Sequence, residues 1–340
     1  MASVTITEIA RCAGVSQATV SLVLNGKAGA RAAPETAARI ASVAEQLQYR
    51  PNMAARALRH RRSFTLGVLM PSPSLSRFYA EVIAGIQSGL RDTRYDSVFS
   101  FWIDVADIQV ATDHLLEKNL DGMITFEPRH LGGKAKMPVV TYYHEDPRYD
   151  YVGYDVEKMA ETAVEYLIRL GHRKLAVAGN AGARLTRMLP AAIRRHEGVE
   201  CSTWLFPKQK SNVCFLAERQ SAGALPDAVI AGTDEIGLLI LQWALELGIR
   251  IPRDLSVISC DGSPLGELSA PPLTTVVHGG DNPGLIMLDM LLRRIEHPEL
   301  PRARHVTEPR MVERQSCAGI SGESGQAAAR RSRKQTGDKP

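Results

Sequence analysis

From Thr65 onward the chain alternates short β-rich runs with longer amphipathic ones, and no other feature constrains its fold as much. The strand-like runs are TLGVLM (65–70), SVFSFW (97–102), GMITF (122–126), VVTYY (139–143), KLAVAG (174–179), DAVIAG (227–232) and LSVISC (255–260). Helical patterns fall between them at 79–94, 105–118, 158–170, 234–247 and 282–295. A strand followed by a helical crossover returns the chain in the same direction, so this rhythm predicts parallel, doubly wound sheets covered on both faces. So many strands over this length favour two α/β lobes rather than one. Ligands in such folds lie at the carboxyl ends of the strands, which for two lobes means the cleft between them.

The first fifty residues follow a different period. Thr5 and Glu8 have the spacing of a capping box, and Ile6, Ile9, Ala10 and Ala13 then recur at helical intervals up to Gly14. Ser16 is a good N-cap for a second helix, whose Val20, Val23 and Leu24 face inward before Asn25-Gly26 ends it. Pro34 suits the first position of a third helix with Ile40, Val43, Ala44 and Leu47 as its apolar stripe. The expected result is a three-helix head over residues 1–50. The arginine- and alanine-rich run MAARALRHRRS after Pro51 has little to bury except Met53 and Leu58, so 51–62 reads as a linker ordered only by a partner. Residues 63–318 form the two-lobed body, and the polar tail 319–340 reads as disordered.

Charge divides along the same boundaries. The whole chain carries only +4, yet residues 1–62 hold nine basic against three acidic side chains and the body is net −5. A basic head on a mildly acidic body points to a polyanion partner for the head alone. No window reaches the ~20 apolar residues of a membrane span, and Glu8 and Arg11 interrupt any signal-peptide core, so the expectation is a cytoplasmic chain with no membrane partner. Five scattered cysteines without a C-x-x-C pair indicate neither a disulfide framework nor a zinc site, and no cofactor or metal is expected. His60, His172 and His297 lie beside basic or helix-end residues, where a surface position is the default.

Helix, glycine turn, helix is a compact way to present one helix to the DNA major groove. In GVSQATVSLVLNG the outward positions are Gln17, Ala18 and Leu22, with Ser21 and Asn25 beside them. Gln pairs adenine N6 and N7, Ala touches a thymine methyl, and the short polar groups of Ser16, Thr19, Ser21 and Asn25 suit phosphates.

These stretches closely resemble the lactose-repressor/galactose-repressor (LacI/GalR) family of transcription regulators. The likeness runs through VTITEIARCAGVSQATVSLVLNG, PETAARIASVAEQLQYRPNMAARALR, FTLGVLMPS, VGYDVEKMAETAVEYLIRLGHRKLAVAGN and the long segment from DAVIAGTDE to PPLTTVVH, ending at MVERQSC. It implies an α+α/β fold: a helix-turn-helix headpiece plus a two-lobed, periplasmic-binding-protein-like effector domain. It also implies a homodimer on a pseudo-palindromic operator, controlled by a small molecule, most simply a sugar or sugar derivative. By this resemblance Thr5 joins the DNA-binding set. Asn52, Ala54, Ala55 and Leu58 become a hinge helix whose leucine wedges into a minor-groove step. Ser72, Phe78, Asp155, Arg187, Asp234 and Asp261 become effector contacts, although Asp234 opens a helix and would serve equally as an N-cap.

The chain also departs from the family pattern. Thr233 stands where Asn is usual, Pro190 where a glycine is, and Gly262 where a second acid is; Leu22 occupies a recognition position that is often Arg. The region PKQKSNVCFLAERQSAGAL matches poorly. A corepressor-dependent regulator or an activator sensing a nucleobase would share all these motifs, as would the lobes of a sugar-binding protein without a head. Tetramers are not indicated, since the tail has no leucine heptads. G-x-S-x-G, G-x-G-x-x-G, the P-loop lysine motif and H-E-x-x-H are all missing from the sequence, so no catalytic reading competes.

Overall fold

The computed structural model describes residues 4–24, 32–49, 62–73, 76–205 and 213–320. Its internal contacts divide the chain into two units between Phe64 and Thr65.

In the first unit, α1 spans Ile6–Ala13, α2 Gln17–Leu24 and α3 Pro34–Gln46. The expected capping box is formed: the Glu8 amide donates to Thr5 Oγ1 at 3.4 Å and the Thr5 amide to Glu8 Oε2 at 3.0 Å, so two otherwise orphaned donors are satisfied reciprocally. Gly14 takes the left-handed conformation at φ 65°, which lets the Val15 amide return to the Ala10 carbonyl at 3.0 Å and turns the chain sharply into α2. Ser16 Oγ then accepts the Thr19 amide at 3.1 Å as the start of α2. Ile9, Ala10, Ala13, Val20, Ile40 and Ala44 are buried together, with Val23, Leu24, Val43 and Leu47 packed against them. Half of that core is alanine, so the unit buries little apolar surface for its length.

In the second unit, β1 (Thr65–Pro71), α4 (Arg77–Leu90), β2 (Asp96–Trp102), α5 (Ile108–Leu116), β3 (Gly122–Thr125), β4 (Val139–Tyr142) and β5 (Asp150–Tyr154) build one lobe. The other lobe holds α6 (Val156–Arg169), β6 (Lys174–Gly179), α7 (Arg184–Arg194), β7 (Glu200–Leu205), α8 (Val213–Ser221), β8 (Ala228–Ala231), α9 (Asp234–Glu246), β9 (Ser256–Asp261), α10 (Leu265–Leu268) and β10 (Thr274–Val277). The chain then returns to the first lobe as α11 (Pro283–Glu296) and β11 (Arg304–Thr307), and ends in the second as β12 (Arg310–Val312). Among the described residues each lobe has a six-stranded sheet, in the orders β2-β1-β3-β4-β5-β11 and β7-β6-β8-β9-β10-β12. The winding is the same twice, and every pairing is parallel except β10 with β12. Central strands such as GMIT, VVTY and AVIA are buried along their whole length, as parallel strands with helices on both faces must be.

All seven expected strands are present within a residue or two at each end. The structure adds β5, β7, β10, β11 and β12, with α7, α8 and α10. Edge strands such as RHVT and RMV are too polar and short to stand out, and Pro190 inside α7 argues against a helix that tertiary packing of Leu185, Leu189 and Ile193 nonetheless enforces. His172 is a correction: it is 3% exposed rather than on the surface, and burial pushes its imidazole pKa down. It follows the turn after α6, where the chain dives directly into β6.

The backbone passes between the lobes three times, at Tyr154–Val156, Val277–Pro283 and Thr307–Arg310. Two of these passages touch: Gly279 has φ 71°, and a Cβ there would run into the Glu308 carbonyl. Beside them, α11 is fastened to β5 by an ion pair. Arg294 Nε and Nη2 donate to the Asp150 carboxylate at 2.8 and 2.9 Å, and the Ala303 amide adds a third bond at 2.7 Å. Asp150 is 4% exposed, so Arg294→Met would strand a buried carboxylate. Urea unfolding should show a loss of about 3–5 kcal/mol for that variant, and a smaller loss for the Asp150→Asn/Arg294→Met pair.

Candidate nucleic-acid and ligand sites

In the head, α2 leaves Ser16, Gln17 and Ala18 exposed and Thr19 and Leu22 half-buried. Gln17 and Ala18 occupy the first turn, the end of a recognition helix that approaches base edges. Ser16 and Thr19 are occupied with each other, their hydroxyls 2.8 Å apart at the cap. Thr5 is exposed at the cap of α1. Ser21 is a correction in its placement: it is 8% exposed and buried with Val20 on α2 rather than beside the outward residues. Asn25, Asn52, Ala54, Ala55 and Leu58 lie outside the described residues.

In the second unit a cavity of about 260 Å³ opens at the carboxyl ends of both sheets. Its walls are aromatic to a degree the sequence reading did not anticipate. Trp102, Phe126, Tyr142 and Tyr154 close β2, β3, β4 and β5, and Phe78 and Tyr79 come from the first turn of α4. Tyr154 stacks on His278 with centroids 4.0 Å apart and planes 9° apart, and Phe78 meets the same imidazole edge-on at 4.8 Å. Tyr143 holds a left-handed backbone at φ 66°, a strain typical of ligand sites in non-glycine residues. Its hydroxyl accepts the Arg184 amide across the cleft at 2.9 Å, at the start of α7. The signal for these residues was present: each strand-like run from 97 to 143 ended in an aromatic, at the end of the strand where α/β folds bind ligands.

The polar groups are mainly acids. Asp261 ends β9 with its side chain 10% exposed. Ser76 Oγ lies 3.1 Å from Glu235 Oε1 and 3.3 Å from Asp261 Oδ2, bridging the lobes at a second point. Burial, with Asp234, Glu235 and Glu81 nearby, pushes the Asp261 carboxyl well above the usual range. His278 Nε2 stands 3.7 Å from Asp261 Oδ1, and burial pushes its pKa down to about 4, so the imidazole stays neutral near pH 7 and the acid keeps its proton more readily than a free one. Burial pushes Glu127 up, but hydrogen bonds from His144 and Arg129 outweigh it and hold the carboxyl below its usual range.

Of the six expected effector contacts, the structure brings Phe78 and Asp261 to the cavity wall. The other four do not line it. Ser72 is placed by its own amide, which donates to the Trp102 carbonyl at 2.8 Å. Asp155 is exposed and caps α6 through the Lys158 amide at 2.9 Å, while Arg187 points out from α7. Asp234 is neither a cleft contact nor an N-cap, since Thr233 caps α9. It is fully buried and accepts from Ser259 Oγ at 2.6 Å, Thr275 Oγ1 at 3.0 Å and the Ser263 amide, so it ties α9 to β9 and β10 behind the cavity wall. Among the described residues there is no cluster of metal-ligating side chains, and no helix is long and apolar enough to cross a membrane.

A helix-turn-helix unit followed by a two-lobed unit with a cleft ligand site is the architecture of a ligand-controlled DNA-binding regulator. Residues 5–52 match the model for bacterial regulatory proteins of the lacI family, and residues 164–317 match that for a periplasmic binding protein-like domain. The chain thus carries a lacI-family DNA-binding domain followed by a periplasmic binding protein-like domain. It is 29% identical over 313 residues to catabolite control protein A of Staphylococcus epidermidis, covering 88% of this chain and 94% of that one. The Staphylococcus aureus protein of the same name is 29% identical over 322 residues, with 88% and 96% covered. Among solved structures, the lac repressor dimer bound to operator and the anti-inducer ONPF superposes with TM-score 0.79 at 21% identity, covering 93% of this chain and all of that one. The CelR–cellobiose complex superposes at 0.64 and 24% identity over 92% and 99%, and a ribose-bound regulator from Enterococcus faecalis at 0.66 and 21% over 76% and 100%.

The acid at Asp261 has a thermodynamic signature. Its folded pKa is raised, so the native state holds the proton longer than the unfolded chain and stability falls as pH rises above the ordinary aspartate range. Asp261→Asn should therefore be more stable than the parent at neutral pH, with the advantage vanishing on acidification toward the ordinary Asp range. His278 acts in the opposite sense, losing stability as pH falls from 6.5 toward 4, but does so in both proteins. Melting curves across that range measure the difference.

Proposed function

We propose that this chain is a ligand-responsive, sequence-specific transcription repressor that acts in the cytoplasm as a homodimer and senses a small molecule in the cleft. The observation that carries this reading is the presence in one chain of an exposed recognition turn, Gln17 and Ala18 on α2, and of an enclosed cavity at the strand ends of two lobes. A two-fold dimer sets two recognition helices about one DNA turn apart, so the operator is a pseudo-palindrome. The lac repressor dimer on operator supports this assembly. So does the apolar edge of the first lobe, where Phe101, Ile103, Val105 and Val110 are exposed on β2 and the segment after it, a surface that a second copy would cover.

Regulation then follows from lobe closure. The lobes meet across the cleft through Ser76 with Glu235 and through Tyr143 with the Arg184 amide; a ligand there favours one relative orientation of the lobes over another. A coupling of roughly 1–3 kcal/mol changes operator affinity about 5- to 150-fold. The cellobiose and ribose complexes of relatives favour a sugar-like effector. The stacked Tyr154–His278 wall favours a nucleobase as the second reading, and with it a corepressor as readily as an inducer.

Operator binding with and without sugars, sugar phosphates and purines tests the reading, since unchanged affinity with every bound ligand would reject it. Gln17→Ala should relax preference at one base pair per half-site by about 1–3 kcal/mol, which a sequence-selection experiment reads directly. Leu58→Ala should abolish specific binding and leave weak, salt-sensitive binding; gel-shift titration of both proteins on operator and random DNA measures this.

A further inference from the structure

The charge of the cavity bears on what it binds. Asp261 and Glu127 are in its wall, Glu127 paired with Arg129 at 2.9 Å, while among the described residues no lysine or arginine lines it. Behind Asp261 stand Asp234, fully buried, and Glu235, whose Oε1 accepts from Ser76 and the Arg77 amide while its Oε2 is buried without a hydrogen-bond partner. The nearest cation on α4, Arg77, pairs instead with Glu81 at 3.7 Å. Arg184 and Arg187 act on Tyr143 at the α7 edge, and both are exposed and outside the lining. The interior at Asp261 is thus acidic and poorly solvated, so that a cation brought there would favour the charged carboxylate through weakly screened Coulomb attraction.

The walls around that acid are π-faces. Tyr142 is stacked with Phe78 at 5.7 Å, and Tyr79 and Tyr154 complete the enclosure. A phosphate or carboxylate would meet carboxylates and the negative faces of rings. A neutral ligand would leave Asp261 holding its proton, with nothing to stabilise the carboxylate. A protonated nitrogen satisfies both features, by ion pairing with Asp261 and by cation–π contact with the rings.

We propose that the ligand of this cleft carries an organic ammonium group seated against Asp261 within the aromatic enclosure, on a ring-sized body that fits the cavity. This rests on the cleft being the regulatory site and specifies the chemistry it selects. Asp261 is the specificity-determining residue, and the amino group separates this ligand from neutral sugars and from sugar phosphates.

The test uses the full-length chain and two matched sets of probes: D-glucosamine, D-glucose and D-glucose 6-phosphate, and benzylamine, benzyl alcohol and benzoate. Thermal stabilisation and calorimetric titration are measured for each, followed by operator binding with any probe that binds. In at least one set the ammonium should bind about tenfold or more tightly than its neutral partner, the anion should not bind, and Asp261→Asn should remove most of that preference. Neutral or anionic probes binding as well as the ammonium in both sets, no ammonium binding at all, or a preference unchanged in Asp261→Asn would each overturn it. Neutral sugars that bind and alter operator affinity with no ammonium preference in either set overturn this inference and leave the regulatory reading standing. An ammonium that binds with operator affinity unchanged does the reverse.

Discussion

The three backbone passages between the lobes are the constraint on which the rest of the second unit depends. Because the chain crosses at Tyr154–Val156, Val277–Pro283 and Thr307–Arg310, the two sheets are tied together by three strands of backbone, the segments about which any change in lobe orientation has to pivot. The crossings also collect the site. Tyr154 closes β5 just before one passage, His278 follows β10 into the next, and Thr307 Oγ1 donates to the His278 carbonyl at 2.7 Å from the third. A ligand touching Tyr154 and His278 therefore touches the segments about which the lobes move, which is the mechanical basis for converting occupancy into lobe orientation.

Asp261 illustrates what such a site costs the fold. A carboxyl surrounded by burial and three other acids is a poor choice for stability, and an amide there would satisfy Ser76 equally well. Asp234, the first residue of α9, is the contrasting case: burial raises its pKa too, but two hydroxyls and backbone amides converge on it. One buried acid is therefore fully satisfied and structural, whereas the other has spare acceptor capacity directed at a cavity. Residues that break a local rule without compensation within the fold are where function is expected to lie.

The sequence made the architecture legible because periodicity reports burial. Runs such as TLGVLM and KLAVAG are strands with both faces covered, and the capping box at Thr5 and Glu8 is a local device needing no tertiary context. Polar edge strands and the proline-containing α7 were not legible, since they are held by neighbours rather than by their own pattern. The cleft divided the same way. All six effector contacts rested on likeness to relatives; Phe78 at the start of α4 and Asp261 at the end of β9 reach the cavity, whereas Asp155 and Arg187 are exposed outside it. Six aromatics were missed because a strand-terminal tyrosine looks in sequence like any core residue, and only the convergence of four strand ends turns it into a wall.

Leu22 shows how the same reasoning limits the head. It is half-buried on α2, while its neighbours Val23 and Leu24 are the ones packed on the small alanine-rich core. An arginine at that point would reach a guanine through paired hydrogen bonds worth ~1–3 kcal/mol, whereas a leucine offers only contact with a thymine methyl or none. Deleting a polar reader from a short helix, with Ser21 buried, concentrates direct readout on Gln17 and Ala18. Under the proposed function, specificity beyond those positions falls to DNA deformation by the arginine-rich segment that follows the head, where Leu58 is the proposed wedge. On that proposal the head reads few bases and depends on its linker, an arrangement in which control of the linker controls binding.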